Sequence, residues 1–108
     1  MRRKKNKYNA KITIVDGVAF HSKKEAARYR GLKYLQLSGE MECLELQPRF
    51  PLKVDGVLIC TYIADFRYLE KGQEKRTVED VKGYKTAIYK LKSKLFRVLY
   101  PEYIFIET

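Results

Sequence analysis

The chain has little of what most metal and redox sites are made from: one histidine and two cysteines in 108 residues, with no tryptophan. Cys43 and Cys60 lack the close pairing of a zinc or redox motif, and two cysteines make no disulfide framework, so both read as buried apolar residues. His21 sits at the turn into the first helix and reads as a local hydrogen-bonding residue. No apolar run approaches the ~20 residues that cross a bilayer. The basic N-terminus has no hydrophobic segment behind it, so it does not read as a secretory signal. No Trp/Phe-rich amphipathic face points to a membrane surface. The expected compartment is the cytoplasm. With 45% hydrophobic and 13% aromatic residues, the chain should fold, and its length suits one domain rather than two.

Acid is also missing where it would matter most. Arg2, Arg3, Lys4, Lys5, Lys7 and Lys11 stand among the first eleven residues with no carboxylate between them, and they supply most of a net charge of +10. Residues 1–10 read as a basic arm that stays unstructured until it meets a polyanion, giving salt-sensitive, sequence-independent phosphate contacts. A solubilising tail or a contact with an anionic membrane is the plainer reading of the same charges.

The remaining residues, 11–108, should form an α+β domain with a mixed central sheet of about four strands. Its expected order is αβββαβ, with helices packed on the sheet, after a small N-terminal hairpin. Asp16-Gly17 is the hairpin's turn, between Ile12–Val15 and Val18–Phe20. Ser22 caps a helix that Gly39 stops. Leu44–Val54 reads as an extended stretch interrupted by Pro48 and Pro51. Asp55-Gly56 leads into one long strand over 57–68, and 76–82 is the next. Thr86 opens a second helix in which Ile88, Leu91, Leu95 and Val98 keep the spacing of one buried stripe, while Lys90, Lys94 and Arg97 form a basic one. Pro101 ends it, and Tyr103–Ile106 makes a short, well-covered last strand.

Two segments carry chemistry. In Val78-Glu79-Asp80-Val81-Lys82-Gly83, alternation puts Asp80 and Lys82 on one face with Val78, and Glu79 and Val81 on the other. A hairpin turning around Gly72-Gln73 would set Asp65, from Tyr62-Ile63-Ala64-Asp65-Phe66, opposite Asp80. Directly opposed residues have Cβ atoms roughly 4.5–5.5 Å apart, so two carboxylates could share one hard divalent cation. A one-residue slip would present Glu79 instead. The plainer readings are an ordinary Asp80–Lys82 ion pair on a solvated sheet and, for Ser22-Lys23-Lys24-Glu25, a capping box that explains Glu25 without any catalytic part.

These phrases, with Ser22-Lys23-Lys24-Glu25-Ala26 and Leu46-Gln47-Pro48-Arg49-Phe50, resemble the PD-(D/E)XK nuclease superfamily and its small resolvase-like members. More closely, they resemble a family of short bacteriophage and prophage proteins assigned to that superfamily. The likeness runs from about Lys11 to near the end of the chain. It implies a Mg²⁺- or Mn²⁺-dependent DNA endonuclease, with branched DNA such as a Holliday junction among the substrates implied. Asp65 and Asp80 would be metal ligands, Lys82 the lysine of the signature, and Glu25 the acid that members often add from the first helix. Ala64 stands where the signature has proline.

The implied chemistry suits these residue types. Phosphodiester hydrolysis needs a nucleophilic water, neutralisation of phosphoryl charge and help for the departing alkoxide, all of which such a cation can supply. Lys82 would orient the attacking water or stabilise negative charge. DNA contacts are expected from Arg2, Arg3, Lys4, Lys5, Lys7, Lys90, Lys94 and Arg97. Paired cuts on a branched molecule would favour a homodimer. Two other classes share the composition: a non-catalytic DNA-binding or DNA-packaging accessory, and an RNA-binding domain of ribosomal type.

Overall fold

A computed structural model describes residues 12–108. In chain order it contains β1 (Thr13–Val15), β2 (Val18–Phe20), α1 (Lys23–Leu37), β3 (Met41–Leu46), β4 (Arg49–Val54) and β5 (Val57–Ile63). There follow β6 (Phe66–Glu70), β7 (Thr77–Asp80), α2 (Ala87–Leu99) and β8 (Ile104–Glu107).

Both Asp-Gly pairs make hairpin turns. Asp16 and Gly17 have φ of 53° and 76°, and Asp55 and Gly56 have 49° and 78°. Positive φ at both central positions is what the favoured two-residue hairpin turn demands. Val15 therefore pairs Val18, and Val54 pairs Val57. The helices begin where expected: the Ser22 and Thr86 hydroxyls each accept a backbone N–H three residues on, at 3.0 Å. Ser38 caps the end of α1, followed by Gly39 at φ 80°.

The central sheet has four strands in the order β3-β6-β7-β8. The first two pairings are antiparallel and β7 pairs β8 in parallel, with α2 as the crossover. The helices cover opposite faces. Ala26, Tyr29 and Leu32 of α1 pack with Met41, Phe66, Tyr68, Phe20 and Val81, whereas Tyr89 and Phe96 of α2 pack with Phe50, Leu52, Tyr62, Ala64 and Val78. Helix, three strands, helix, strand is thus the order of the central unit, with the β4–β5 hairpin inserted between its first two strands.

That insertion corrects two expectations. The stretch 44–54 is two strands, and 57–68 is not one strand but β5 and β6, which belong to different sheets. The bend has an identifiable cause. Gln47 takes a left-handed φ of 51°, and Pro48 follows it without an N–H to continue a ladder. Pairing survives the corner: the Gln47 N–H donates to the Asp65 carbonyl at 3.0 Å, and the Ala64 N–H to the Pro48 carbonyl at 3.2 Å. Ala64 and Asp65 therefore sit on the fold line between the sheet and the arm that rolls over α2.

Helix α2 has turned away from the expected face. Ile88, Leu91 and Val98 are all more than two-thirds exposed, Leu95 is half-buried, and the inward residues are Tyr89, Ser93 and Phe96. Phe96 is fully buried, its ring centroid 4.7–6.1 Å from those of Phe50, Tyr62, Tyr100, Tyr103 and Phe105. Aromatic side chains bury more area than aliphatic ones and gain edge and offset contacts besides, so the ring cluster wins the inward face. Two smaller corrections concern Cys43, which is exposed at φ 59° beside a bulge in β3, and Cys60, which is half-buried. The last strand, expected to be well covered, is a half-buried sheet edge. Neither cysteine is in a disulfide.

Phe96→Ala should cost about 3–5 kcal/mol in chemical denaturation, whereas Leu91→Ala should stay within about 0.5 kcal/mol. The reverse ranking would mean that the aliphatic stripe faces inward.

Candidate functional site

All four residues of β7 are buried, and two of them are acids. Strand alternation sends the acids to opposite faces. Glu79 points towards α1 and is fully satisfied there. Arg28 donates to it twice, Nε to Oε2 at 2.6 Å and Nη2 to Oε1 at 2.9 Å, joined by the Tyr68 hydroxyl at 2.5 Å and the Thr108 hydroxyl at 3.0 Å. The hydrogen bond from Arg28 to Glu79 raises the guanidinium's already high pKa further. No slip of register has occurred, since Phe66 pairs Glu79 and Tyr68 pairs Thr77 as the expected turn requires.

Asp80 points to the other face and is treated differently. It is wholly inaccessible to solvent. Its Oδ2 accepts a hydrogen bond from the buried Tyr62 hydroxyl. Its Oδ1 is buried with no hydrogen bond. The Lys82 ammonium lies 3.0 Å from that oxygen, a charge contact whose geometry falls short of a hydrogen bond. A buried acceptor left in this state is costly, by roughly 1–3 kcal/mol or more when charged. Lys82 is itself held over the Tyr89 ring, 4.4 Å from its centroid, and the Tyr89 hydroxyl donates to Glu107 at 2.6 Å.

Asp65, at the fold line, presents its carboxylate beside Asp80. Its Oδ2 accepts the Val81 N–H at 2.7 Å, a bond possible because the chain bends just before β6. Burial first, then the charge of Asp80, push the Asp65 carboxyl well above the usual carboxylate range, and Glu25 adds to the effect. Glu25 comes from the first turn of α1, buried and three residues after its cap. Burial also raises its pKa, opposed by His21 and Lys82 and assisted by Asp80. Glu25, Asp65, Asp80 and Lys82 therefore act on one another electrostatically, although four separate elements or loops deliver them.

The backbone around this cluster is tied down from the C-terminal side. Thr108 donates its N–H to the Asp80 carbonyl at 2.9 Å, its own carbonyl accepts from the Lys82 N–H at 3.0 Å, and the Lys24 ammonium bridges the carbonyls of Lys82 and Thr108 at 3.1 and 3.0 Å. Lys90, Lys94 and Arg97 are exposed on α2 as expected. Arg2, Arg3, Lys4, Lys5 and Lys7 lie outside the described residues. Sequence reasoning gave Tyr62 no defined part and missed Tyr89 and Glu107. Tyr62 had one usable signal, being three residues before Asp65 in a strand otherwise made of apolar and small side chains.

Among the described residues, no three His, Cys, Asp or Glu side chains are gathered so as to hold an ion by themselves. A hard cation would need only one or two carboxylates, and Asp65 and Asp80 are the pair that could supply them. Mg²⁺ is usually held by one or two carboxylates, and here one carboxylate offers an oxygen without a hydrogen bond while its neighbour is pushed towards its neutral form. Carboxylates so placed are the ones that a cation would relieve.

The fold and this cluster define an α+β protein with a buried aspartate, a half-buried one and a lysine at one end of its sheet. The chain belongs to the family described as a protein of unknown function (DUF1064), whose model matches residues 5–106. No curated protein matches it.

A raised acid pKa in the folded state means that folding retains a proton that the unfolded chain releases. Stability is then fully present below the unfolded value, ~3.9 for aspartate, and is lost as pH rises through the folded one. With EDTA present, the Tm should fall between pH 5 and pH 8, Mn²⁺ should raise it more at pH 8 than at pH 5, and Asp65→Asn should flatten both responses. A wild-type slope that survives in Asp65→Asn would place the stabilising proton elsewhere.

Proposed function

We propose that the protein is a metal-dependent endodeoxyribonuclease of PD-(D/E)XK type. The observation that carries this reading is the Asp80 carboxylate, buried with one oxygen free of hydrogen bonds and set beside a second carboxylate and a lysine. An ordinary solvated ion pair would not be withdrawn from water in this way. The order αβββαβ, with Asp65 at the entrance to the second central strand and Asp80 and Lys82 at the end of the third, supports the same reading.

Asp65 and Asp80 would hold the cation, with Glu25 contributing from the helix side. Bound there, Mg²⁺ or Mn²⁺ would lower the pKa of a water and neutralise charge on the phosphoryl group. Lys82 fits the orienting role. Its ammonium is fixed between the Asp80 carboxylate and the Tyr89 ring, which restricts its long side chain and leaves other N–H donors to aim at a water or a phosphoryl oxygen. Lys90, Lys94 and Arg97, with the basic residues 2–7, would bind DNA phosphates without reading bases. Branched DNA is one substrate class that the resemblance implies, and the cytoplasm is the compartment, that of the bacterial host if the chain is phage-encoded. Among the described residues, no helix is long and apolar enough to cross a membrane.

One observation favours a second reading, a non-catalytic DNA-binding accessory: Lys82 already offsets part of the charge of Asp80 without any ion. Cleavage of labelled four-way junction, flap, nicked, single-stranded and linear duplex DNA with Mg²⁺, Mn²⁺ or EDTA separates the two. Metal-dependent cutting should disappear in Asp80→Ala and in Lys82→Ala, while Asp80→Ala keeps its salt-sensitive DNA binding. Binding by the wild type with no cutting under any of these conditions would establish the accessory.

A further inference from the structure

We propose that Tyr62 is a positioning residue for the cation site, the group that decides which Asp80 oxygen is offered to the ion; this rests on the reading of Asp80 as a ligand. The phenol comes from β5, in the inserted hairpin, whereas Asp80 comes from β7 in the central sheet. Tyr62 is almost completely buried, and its ring is fixed among Phe50, Tyr89, Phe96 and Phe105, with centroids 5.1–6.5 Å away. The hydroxyl on this constrained ring lies near that of Tyr89 and donates to Asp80 Oδ2. That occupies one carboxylate oxygen and stops the group rotating about its Cβ–Cγ bond. Oδ1 has no hydrogen bond and only the Lys82 ammonium 3.0 Å away, so a lone pair remains that an ion could take. Partners that orient a ligand in this way fix its geometry, and losing one typically weakens metal affinity by about 10–100-fold.

The structure contains its own control. Tyr68 is equally buried and donates to Glu79, the neighbouring acid on the opposite face of β7, at 2.5 Å. Tyr68→Phe removes the same hydroxyl from the same kind of surroundings without touching Asp80. A position that merely stabilises the fold would behave alike in both variants.

The experiment is a Mn²⁺ titration followed by electron paramagnetic resonance, on wild type, Tyr62→Phe, Tyr68→Phe and Asp80→Asn, with thermal melts of each. The proposal expects tight binding in the wild type and in Tyr68→Phe, binding about 10–100-fold weaker in Tyr62→Phe, and none in Asp80→Asn. Unchanged affinity in Tyr62→Phe overturns it, and so does equal weakening in both phenylalanine variants. If the wild type binds no Mn²⁺, the cation reading of Asp80 fails as well, which separates that failure from the failure of Tyr62 alone. A second measurement needs no substitution. In wild-type protein carrying tyrosine labelled with ¹³C at Cζ, Mg²⁺ should shift the Tyr62 signal and leave that of Tyr68 in place. A stationary Tyr62 signal during saturable Mg²⁺ binding counts against the proposal.

Discussion

Two consecutive carboxylates are buried on the short strand β7, and the arrangement of the molecule follows from how each is accommodated. Removing a charge from water costs several kcal/mol unless partners replace the lost hydration. Glu79 receives that replacement in full: a bidentate arginine, a phenol and a threonine hydroxyl leave its oxygens well occupied. Asp80 receives one phenol on one oxygen, and its second oxygen has only a charge contact with the Lys82 ammonium. Neighbours on one strand thus serve opposite ends, one face closed for stability and the other left incomplete.

The incompleteness is supported by what surrounds it. Helix α1 brings its first turn to the site, the end of β8 ties down the Asp80–Lys82 backbone, and the fold line at Ala64-Asp65 turns a second carboxylate inward. None of these supports depends on the exposed residues of α2. The helix is anchored through Tyr89 and Phe96, and Tyr89 joins the ring cluster to the lysine, because its hydroxyl is fixed by Glu107 while its face carries the Lys82 ammonium. Packing and electrostatics therefore meet at one residue, which the pattern of aliphatic side chains alone would not single out.

Local chemistry made much of this legible in the sequence. The Asp-Gly turns, the Ser22 and Thr86 caps and the alternation along 78–82 each depend on a few adjacent residues, and these features are present in the structure. The register that brings Asp65 towards Asp80 was legible too, because one glycine-centred turn fixes it. What was not legible depends on distant partners. The corner at Gln47-Pro48 arises from two strands bending together, so neither reveals it alone. The inward face of α2 is decided by rings from β4, β5 and β8, against an aliphatic spacing that points elsewhere. Tyr62 acquires its contact with Asp80 only once the inserted hairpin has folded over the sheet, a relation between residues eighteen apart with no local signature.

The parallel pairing of β8 with β7 has a consequence for the order in which the protein comes to life. The strand that secures the backbone of Asp80 and Lys82 follows every other element of the cluster in chain order, and it reaches β7 only after α2 has crossed over the sheet. A nascent chain emerging from the ribosome can form both hairpins and α1 while its acid cluster still lacks the neighbour that holds its shape. Assembly of the cluster thus waits on the emergence of β8, so that a chain made only as far as α2 carries the charges of the site without its geometry.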